Sequence, residues 1–346
     1  MKSFRIIPHI FDFKKPSGTS RGVMTQKKSW FIELQENGVS AWGECSIIEN
    51  LSPDYKDDAS YFGKIQEFLG QWQNNSLEIA AMNEFPSIKF GIEMALLDLE
   101  TGGKRILYDT PFTRGEAKIK INGLIWMGSP ESMQQQIQEK LNQGFSCIKL
   151  KIGAIDWADE YKILKAVREE FSASDIELRV DANGAYSPKQ AKEILKQLAD
   201  LEVHSIEQPI RAGQVQEMTE LCATTPCPIA LDEELIGVFD IQEKQKLLAQ
   251  IKPQYIILKP SLHGGISGTQ EWISIAKQNN MAWWMTSALE SNLGLNAIAQ
   301  LASTYILQLP QGLGTGALYT TNLPSPLYLE GEWLGYDASK EFKTLF

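Results

Sequence analysis

The pattern of apolar and polar positions changes in character after the first hundred residues. Three early runs alternate apolar and polar residues, which is typical of half-buried strands, and they cover residues 4–13, 29–36 and 39–47. The turn Glu36-Asn37-Gly38 between the last two runs indicates a β-hairpin. Apolar residues then recur at helical spacing near residues 55–72 and 86–101. This order of elements predicts an α+β unit.

From about residue 116 the chain alternates short strands rich in Ile, Leu and Val with amphipathic helices. The expected strands are residues 117–125, 145–152, 176–182, 203–207, 228–232, 255–260, 282–286 and about 311–314. Serine followed by proline, at Ser129-Pro130 and at Ser187-Pro188, is a signal for the start of a helix. Eight strand–helix units joined by short loops predict an α/β fold with a closed, TIM-like (β/α)-barrel.

These patterns predict three parts of the chain. We expect an α+β capping domain at residues 1–115, the barrel at residues 116–320, and a C-terminal segment at residues 321–346 that returns to the capping domain and completes it. The stretch from Ser17 to Met24 is polar and contains glycine. It predicts either a mobile lid over the barrel mouth, where Arg21 meets substrate, or a plain surface loop.

Composition narrows the class of function. The formal net charge is −10 and the pI is about 5.0, which argues against binding to nucleic acid or to an anionic membrane. The N-terminus lacks the basic start and apolar core of a signal peptide, and no run approaches the roughly 18 apolar residues of a membrane span. We therefore expect a cytoplasmic protein. The cysteines lack paired zinc-ligand spacing and are expected to be reduced.

Charged residues stand at the ends of five consecutive barrel strands, where barrel active sites lie. They are Lys149 and Lys151 on strand two, Asp181 on strand three, Glu207 on strand four, Asp232 on strand five and Lys259 on strand six. Successive strand ends are 25 to 30 residues apart, the length of one strand–helix unit. These charges are therefore expected to meet at one rim of the barrel.

This arrangement predicts a metal site beside a proton carrier. Three confined acids repel each other, and a hard divalent cation relieves that repulsion. An all-oxygen shell with open positions suits Mg²⁺, so we expect one ion per active site. A lysine that is partly desolvated beside a dication has its pKa lowered toward that of a general base. The site favours removal of a proton next to the carboxylate of a small molecule, because the metal stabilises the enediolate charge.

With Gly43-Glu44 in the capping domain, the Lys-x-Lys on strand two and the lysine on strand six, the chain resembles the muconate-lactonising subgroup of the enolase superfamily over nearly its whole length. The resemblance implies that Lys151 is the catalytic acid/base, that Lys149 orients it, and that Lys259 lies on the opposite face. The metal ligands would be Asp181, Glu207 and Asp232. Strand seven ends without a histidine, which argues against the mandelate-racemase-like subgroup.

Within that subgroup the chain most resembles the o-succinylbenzoate synthases. The resemblance rests on the loop Ser287–Ser291, on the stretch Gly312–Gly316 with Thr320-Thr321-Asn322 after it, and on the compact length. It implies dehydration of 2-succinyl-6-hydroxy-2,4-cyclohexadiene-1-carboxylate in menaquinone biosynthesis. In that reaction Lys151 takes the α-proton and later protonates the departing hydroxyl, whereas the Lys259 ammonium lies against the ring intermediate.

Several further residues are expected to meet the substrate. Arg179 points inward two residues before Asp181 and either binds a substrate carboxylate or balances the acid cluster. Asn183 is expected behind the metal ligands, where it orients a ligand or Lys259. His263 is expected at the surface. The other candidate substrate contacts are Arg21, Ser287, Ser291, Thr315 and Gly316.

Other functions remain open at this point. A dipeptide epimerase, an N-acylamino acid racemase or a muconate cycloisomerase would use the same lysines and metal. An epimerase usually carries Asp-x-Asp near strand eight, where this chain has Gly314-Thr315-Gly316. A Schiff-base aldolase would use Lys259 for imine formation, but it leaves the three acids unexplained. A non-catalytic binding protein leaves all five rim charges unexplained.

Overall fold

The computed structural model describes residues 1–19 and 22–342. Its first strands form an antiparallel sheet in the order β1 (Ser3–Thr19), β2 (Gly22–Glu36) and β3 (Val39–Ser46). Helices α1 (Asp58–Gln73) and α2 (Pro86–Glu100) bury their apolar faces against this sheet. The predicted α+β unit is confirmed.

The hairpin of β1 and β2 is longer than the sequence pattern predicts. Ser17 pairs with Met24 and Thr19 pairs with Gly22, so the stretch expected to be a lid or a loop is mostly the end of a β-hairpin. The sequence pattern did not predict this pairing, because the stretch is polar and strands were recognised by alternating apolar residues. Backbone hydrogen bonds between strands do not require apolar side chains. Arg21 lies outside the described residues.

Seven parallel strands form the barrel wall, where the sequence pattern predicts eight. In sheet order they are β5 (Gly123–Ile125), β6 (Cys147–Lys151), β7 (Glu177–Asp181), β8 (Ser205–Glu207), β9 (Ile229–Leu231), β10 (Tyr255–Leu258) and β11 (Ala282–Met285). The helices that alternate with them are α3 (Pro130–Asn142), α4 (Trp157–Glu170), α5 (Pro188–Asp200), α6 (Val215–Thr224), α7 (Ile241–Ile251), α8 (Gly265–Gln278) and α9 (Asn292–Ser303).

The barrel is closed by two residues in place of the eighth strand expected at 311–314. Gln311 donates its backbone N–H to the carbonyl of Lys120 over 2.8 Å and accepts from Asn122 N over 3.0 Å. On its other side, Gly312 donates to the carbonyl of Met285 over 2.8 Å. Strands one and seven are thus joined through a seam of parallel bridges. This seam completes the ring.

The first expected barrel strand, 117–125, is divided in two. Its start, β4 (Ile119–Lys120), pairs with β13 (Trp333–Tyr336), which forms a C-terminal hairpin with β12 (Leu327–Glu330). This hairpin lies at the end of the barrel where strands begin, away from the strand ends that carry the charges. The segment that contacts β1 precedes this hairpin in the chain: the backbone N–H of Lys14 in β1 donates to Leu318 O over 2.8 Å.

Helix starts follow the expected signals. Ser129 and Ser187 cap α3 and α5 with their side chains, and the second of these caps is a full capping box with Gln190. The domain boundaries themselves stay a prediction. Within the residues described, no helix has the length and apolarity to cross a membrane. The four cysteines are buried free thiols, as expected.

Candidate active site

The strand register brings the predicted acids and lysines together. Lys151 of β6 pairs directly with Asp181 of β7, and Asp181 pairs with Glu207 of β8. Asp232 follows the last residue of β9, and Lys259 follows the last residue of β10. All five side chains are buried. One rim of the barrel therefore holds a compact cluster of opposite charges.

The two lysines of β6 lie in different electrostatic environments although they are two residues apart. Lys149 Nζ is 3.0 Å from Asp181 Oδ2 and also donates to Glu207. Burial disfavours its charge, but the two carboxylates outweigh burial and raise the pKa of Lys149. Lys151 Nζ is 2.5 Å from Asp181 Oδ2, yet burial, assisted by the positive charge of Lys149, lowers its pKa. Lys151 is thus the lysine better able to release and take a proton.

Lys259 is held as a cation on the other side of the acids. Its Nζ donates to Asp232 and lies 3.6 Å from Glu207 Oε1. Burial works against its charge, but the carboxylates of Asp232 and Glu207 prevail and raise its pKa above the usual range. A fixed ammonium in a buried site stabilises nearby negative charge more strongly than it would in water.

The donor set suits a hard divalent cation. Among the described residues, no three acidic, histidine or cysteine side chains form a ready-made metal cluster, and each of the three carboxylates is turned toward a lysine. Even so, Glu207 Oε1 and Asp232 Oδ1 are buried with no hydrogen-bond partner in the part of the chain described. Burial, and repulsion by Asp181, raise the pKa of Glu207 to about 7. A cation bound by these oxygens would relieve both costs.

Asn183 supports the cluster from behind, as expected for a residue that orients others. Its Oδ1 accepts from Lys151 Nζ over 3.1 Å, and its Nδ2 donates to Glu233 Oε1 over 3.1 Å. Its backbone N–H donates to Asp181 Oδ1 over 3.0 Å. Asn183 therefore contacts Lys151 and not Lys259.

Sequence reasoning missed Gln208, which fixes the loop after β9. Gln208 Oε1 accepts from the backbone N–H groups of Asp232 and Glu234, each over 3.2 Å, and its Nε2 donates to Glu234 Oε2 over 3.1 Å. Its φ of 39° is in the left-handed region that non-glycine residues rarely adopt. The adjacent acids Glu233 and Glu234 after Asp232 were the only signal of a polar network there.

The expectation that His263 lies at the surface is wrong. The chain turns back after β10, His263 is 1% exposed, and its Nδ1 accepts the backbone N–H of Lys259 over 2.9 Å. Burial, with the charge of Lys259, keeps the pKa of His263 well below its usual value, so the ring is neutral. His263 fixes the backbone that carries Lys259.

The predicted substrate contacts divide into two groups. Ser287 and Thr315 line a cavity of about 520 Å³ at the charged rim, together with Lys149, Lys151 and Lys259. Its other wall comes from β2 and the loop after β3. Such a volume is typical of small-molecule sites.

The second group does not line the cavity, which corrects the expectation that its members contact substrate; it consists of Arg179, Ser291 and Gly316. Arg179 Nε donates to Glu177 over 2.6 Å, and its guanidinium lies 4.2 Å from the ring centre of Trp284, one layer below the acids. Alternation correctly places it inside the barrel but does not set its depth. A side chain at Gly316 would meet Asn292 Oδ1 at 2.7 Å, so this glycine permits close packing.

Ser291 joins the barrel to the capping domain. Its Oγ donates to Glu44 Oε2 over 2.5 Å, and its backbone N–H donates to Glu44 Oε1 over 2.9 Å. Glu44 also accepts from Gly294 N and from Ser29 Oγ. This carboxylate therefore caps α9 from the neighbouring domain.

Lys27 of β2 lines the cavity and is the second residue that the sequence did not indicate. Its Nζ donates to Ser46 Oγ over 2.7 Å and to the carbonyl of Ile47 over 2.5 Å. Burial lowers the pKa of Lys27 to about 8, although Glu290 and Glu44 act in the opposite direction. A lysine next to a predicted strand is more often solvated, so the pattern alone did not single it out.

Comparison with known proteins agrees with this fold. Residues 132–320 match the family model described as enolase C-terminal domain-like, and residues 19–99 match the model of the MenC N-terminal domain. The chain belongs to the enolase superfamily, as the sequence resemblance predicts.

Individual relatives within the enolase superfamily are similar over nearly the whole chain. An o-succinylbenzoate synthase from Desulfotalea psychrophila is 46% identical in an alignment that covers 93% of this chain and 96% of the relative. The crystal structure of MenC from that organism has a TM-score of 0.83 at 42% identity, covering 96% of this chain and 99% of that one. A dipeptide epimerase from Enterococcus faecalis, solved with Mg and L-Leu-L-Tyr, has a TM-score of 0.82 at 22% identity over 99% of this chain and 98% of that one, and shares the fold.

Proposed function

We propose that this protein is an o-succinylbenzoate synthase, a hydro-lyase that dehydrates 2-succinyl-6-hydroxy-2,4-cyclohexadiene-1-carboxylate. The observation that carries the proposal is the position of Lys151 and Lys259 around three buried carboxylates, at the rim of the cavity. The high identity to a relative of that name, over nearly the whole of both chains, supports this substrate.

The metal ion belongs to the same proposal. Asp181, Glu207 and Asp232 would hold one Mg²⁺, because their carboxylate oxygens are hard ligands and two of those oxygens have no hydrogen-bond partner among the described residues. When bound, Mg²⁺ supplies a Lewis acid for the oxygens of the substrate carboxylate. The ion fits the donor set without any change of residue.

Lys151 performs both proton transfers in this scheme. Its neutral Nζ takes the proton from the ring carbon that bears the carboxylate, and the electron pair of that C–H bond passes into an enediolate. The enediolate then expels the hydroxyl group at the neighbouring carbon, and the Lys151 ammonium returns the proton to it. One C–H and one C–O bond break, the ring becomes aromatic, and water leaves.

Lys259 stabilises charge in this scheme and transfers no proton. Asp232 and Glu207 hold its ammonium in place, and the buried site strengthens its attraction for the enediolate. An epimerase would instead need Lys259 to exchange protons on the second face of its substrate. The two functions therefore differ in what Lys259 does.

A turnover assay tests the proposal. The Mg²⁺-loaded protein is mixed with the cyclohexadiene carboxylate, and the absorbance of the aromatic product is followed. Parallel reactions contain L-Ala-L-Glu or an N-succinyl amino acid in D₂O, where racemisation would exchange the α-proton. We expect dehydration to exceed either exchange reaction. Well-folded, metal-loaded protein that exchanges only the dipeptide would refute the proposal. A cytoplasmic location stays a prediction.

A further inference from the structure

Two buried side chains in the cavity wall have oxygens that lack a partner. Across the residues that the structure describes, Asn122 Oδ1 and Thr315 Oγ1 are enclosed and accept or donate no hydrogen bond. Asn122 is 5% exposed, Thr315 is 6% exposed, and both line the cavity of the active site. A buried polar group without a partner costs about 1–3 kcal/mol, so two of them beside one cavity require an explanation.

Both residues belong to the seam that closes the barrel. Asn122 donates its backbone N–H to Gln311 O over 3.0 Å, which ties it to the seam. Thr315 comes directly after Gly314, and a side chain at Gly314 would lie 3.7 Å from Asn122 O. The two segments are therefore packed together. The acids stand on strands three to five, so the seam between strands eight and one lies across the barrel from them.

Neither side chain loses a hydrogen bond when it turns toward a ligand. Rotation about the Cα–Cβ bond of Thr315 moves its hydroxyl into the position that its methyl group held, and rotation of the Asn122 amide sets whether its nitrogen or its oxygen faces the cavity. Each residue can then offer a donor to the cavity. Two neutral donors that are free of other partners suit a carboxylate, which accepts hydrogen bonds only.

We propose that Asn122 and Thr315 form a subsite for the terminal carboxylate of the succinyl chain. This inference rests on the proposed function, because it assumes a substrate with a second carboxylate. The ring carboxylate belongs beside the acid cluster, where Lys151 must reach the neighbouring C–H bond. The succinyl chain then extends across the barrel toward the seam, where Asn122 lies deeper than Lys151, because Gly123 pairs with Ile148 near the start of β6. The subsite thus selects substrates by their second polar end.

The competing explanation is an ordered water that satisfies both oxygens in the free and the bound protein. A pair of matched ligands separates the two explanations. The product o-succinylbenzoate carries the terminal carboxylate, whereas 2-butyrylbenzoate has the same skeleton with a methyl group in its place. Both are aromatic and stable, so their dissociation constants can be measured by calorimetry on the Mg²⁺-loaded protein without turnover.

We expect the wild type to prefer o-succinylbenzoate, and Thr315→Val to lower that preference by about 5-fold or more, with the affinity for 2-butyrylbenzoate unchanged. Asn122→Asp, which keeps the shape but adds a negative charge, should lower the preference further. Thr219→Val is the matched control, because the Thr219 hydroxyl bonds to Val215 O within α6. The turnover assay should show KM rising more than kcat falls in Thr315→Val.

Three results overturn the subsite. They are equal loss of affinity for both ligands, an unchanged preference in both variants, and a wild type without a preference. The turnover assay of the wild type reports separately on the proposed function. A protein that dehydrates the cyclohexadiene carboxylate but shows no change of preference keeps its function and loses this subsite. A protein that fails to dehydrate it, yet changes preference as expected, keeps the subsite and loses the function.

Discussion

Lys151 Nζ lies 2.5 Å from Asp181 Oδ2, and these two residues are direct partners in the parallel register of β6 and β7. The proposed catalytic base and one of the proposed metal ligands are therefore neighbours on adjacent strands. In the proposed reaction the C–H bond of the substrate would meet Lys151 beside the carboxylates that would hold the metal, and strands position side chains more firmly than loops do. The consequences of this arrangement can be measured residue by residue.

The first prediction concerns the charge of Lys259. In Lys259→Arg the positive charge beside Asp232 remains, so we expect dehydration to fall about tenfold. Lys259→Met leaves Asp232 without that charge, and the loss should be at least about a hundredfold. Steady-state kcat with the cyclohexadiene carboxylate measures both variants. Equal loss in the two variants would indicate that Lys259 transfers a proton and would contradict the assigned role.

The second prediction concerns the metal. EDTA should abolish turnover and added Mg²⁺ should restore it, because the proposed ion would stabilise the charge that develops on the substrate. Asp232→Asn removes one ligand charge, so the dissociation constant for Mg²⁺ should rise at least about tenfold, as measured by calorimetry. Glu139→Gln on the exposed face of α3 is the control, and its Mg²⁺ affinity should match that of the wild type. Full activity in EDTA would rule out the metal scheme.

The third prediction concerns the contact between domains at Glu44. Its carboxylate accepts four hydrogen bonds, and two of them come from the backbone N–H groups of Ser291 and Gly294. In Glu44→Gln an amide NH₂ would face one of these donors, so the free energy of unfolding should fall by about 2 kcal/mol. Urea unfolding measures this loss. A change as small as that of the surface variant Glu139→Gln would show that the contact contributes nothing.

The fourth prediction concerns pH and stability. Burial raises the pKa of Asp54 to about 6, against hydrogen bonds from Ser87 that favour its charge. The folded state therefore holds this proton more tightly than the unfolded state. The stabilisation is full below pH 4 and is lost as pH rises through about 6. Relative to wild type, Asp54→Asn should gain about 2 kcal/mol between pH 4.5 and pH 7.5.

Urea titrations at the two pH values measure that gain. Asp57→Asn is the matched control, because Ser60 lowers the pKa of Asp57 through hydrogen bonds to its carboxylate, so that group is already largely ionised at pH 4.5 in the folded and the unfolded state. The difference in stability between Asp57→Asn and wild type should therefore be nearly the same at the two pH values. Parallel pH profiles for wild type and Asp54→Asn would contradict the assignment to Asp54.

The charged rim was predictable because of how barrels are built. Strand ends converge on one face, so Lys151, Asp181, Glu207, Asp232 and Lys259 could be placed together from their spacing alone. Depth inside the barrel was not predictable in the same way. Alternation tells which side Arg179 faces, but the layer it occupies depends on strand tilt, and the structure pairs it with Glu177.

Contacts between distant segments were also beyond the sequence. Glu44 and Ser291 are 247 residues apart, and the sequence around either residue does not indicate that it contacts the other. His263 lies in a loop rich in glycine, which is typical of the surface, yet the chain folds back and buries it under Lys259. Asn122 lies between β4 and β5, and its backbone N–H donates to Gln311 O. Contacts of this kind depend on the closed barrel and cannot be predicted from local sequence patterns.

The central claim is that Lys151 moves the proton beside a bound Mg²⁺, and one pair of measurements tests it directly. Turnover of the cyclohexadiene carboxylate and Mg²⁺ affinity are compared in wild type, in Lys151→Ala and in the exposed-lysine control Lys165→Ala. We predict that Lys151→Ala loses turnover by at least about a thousandfold while it still binds Mg²⁺, and that the control keeps both. Turnover by Lys151→Ala within tenfold of wild type would contradict the account.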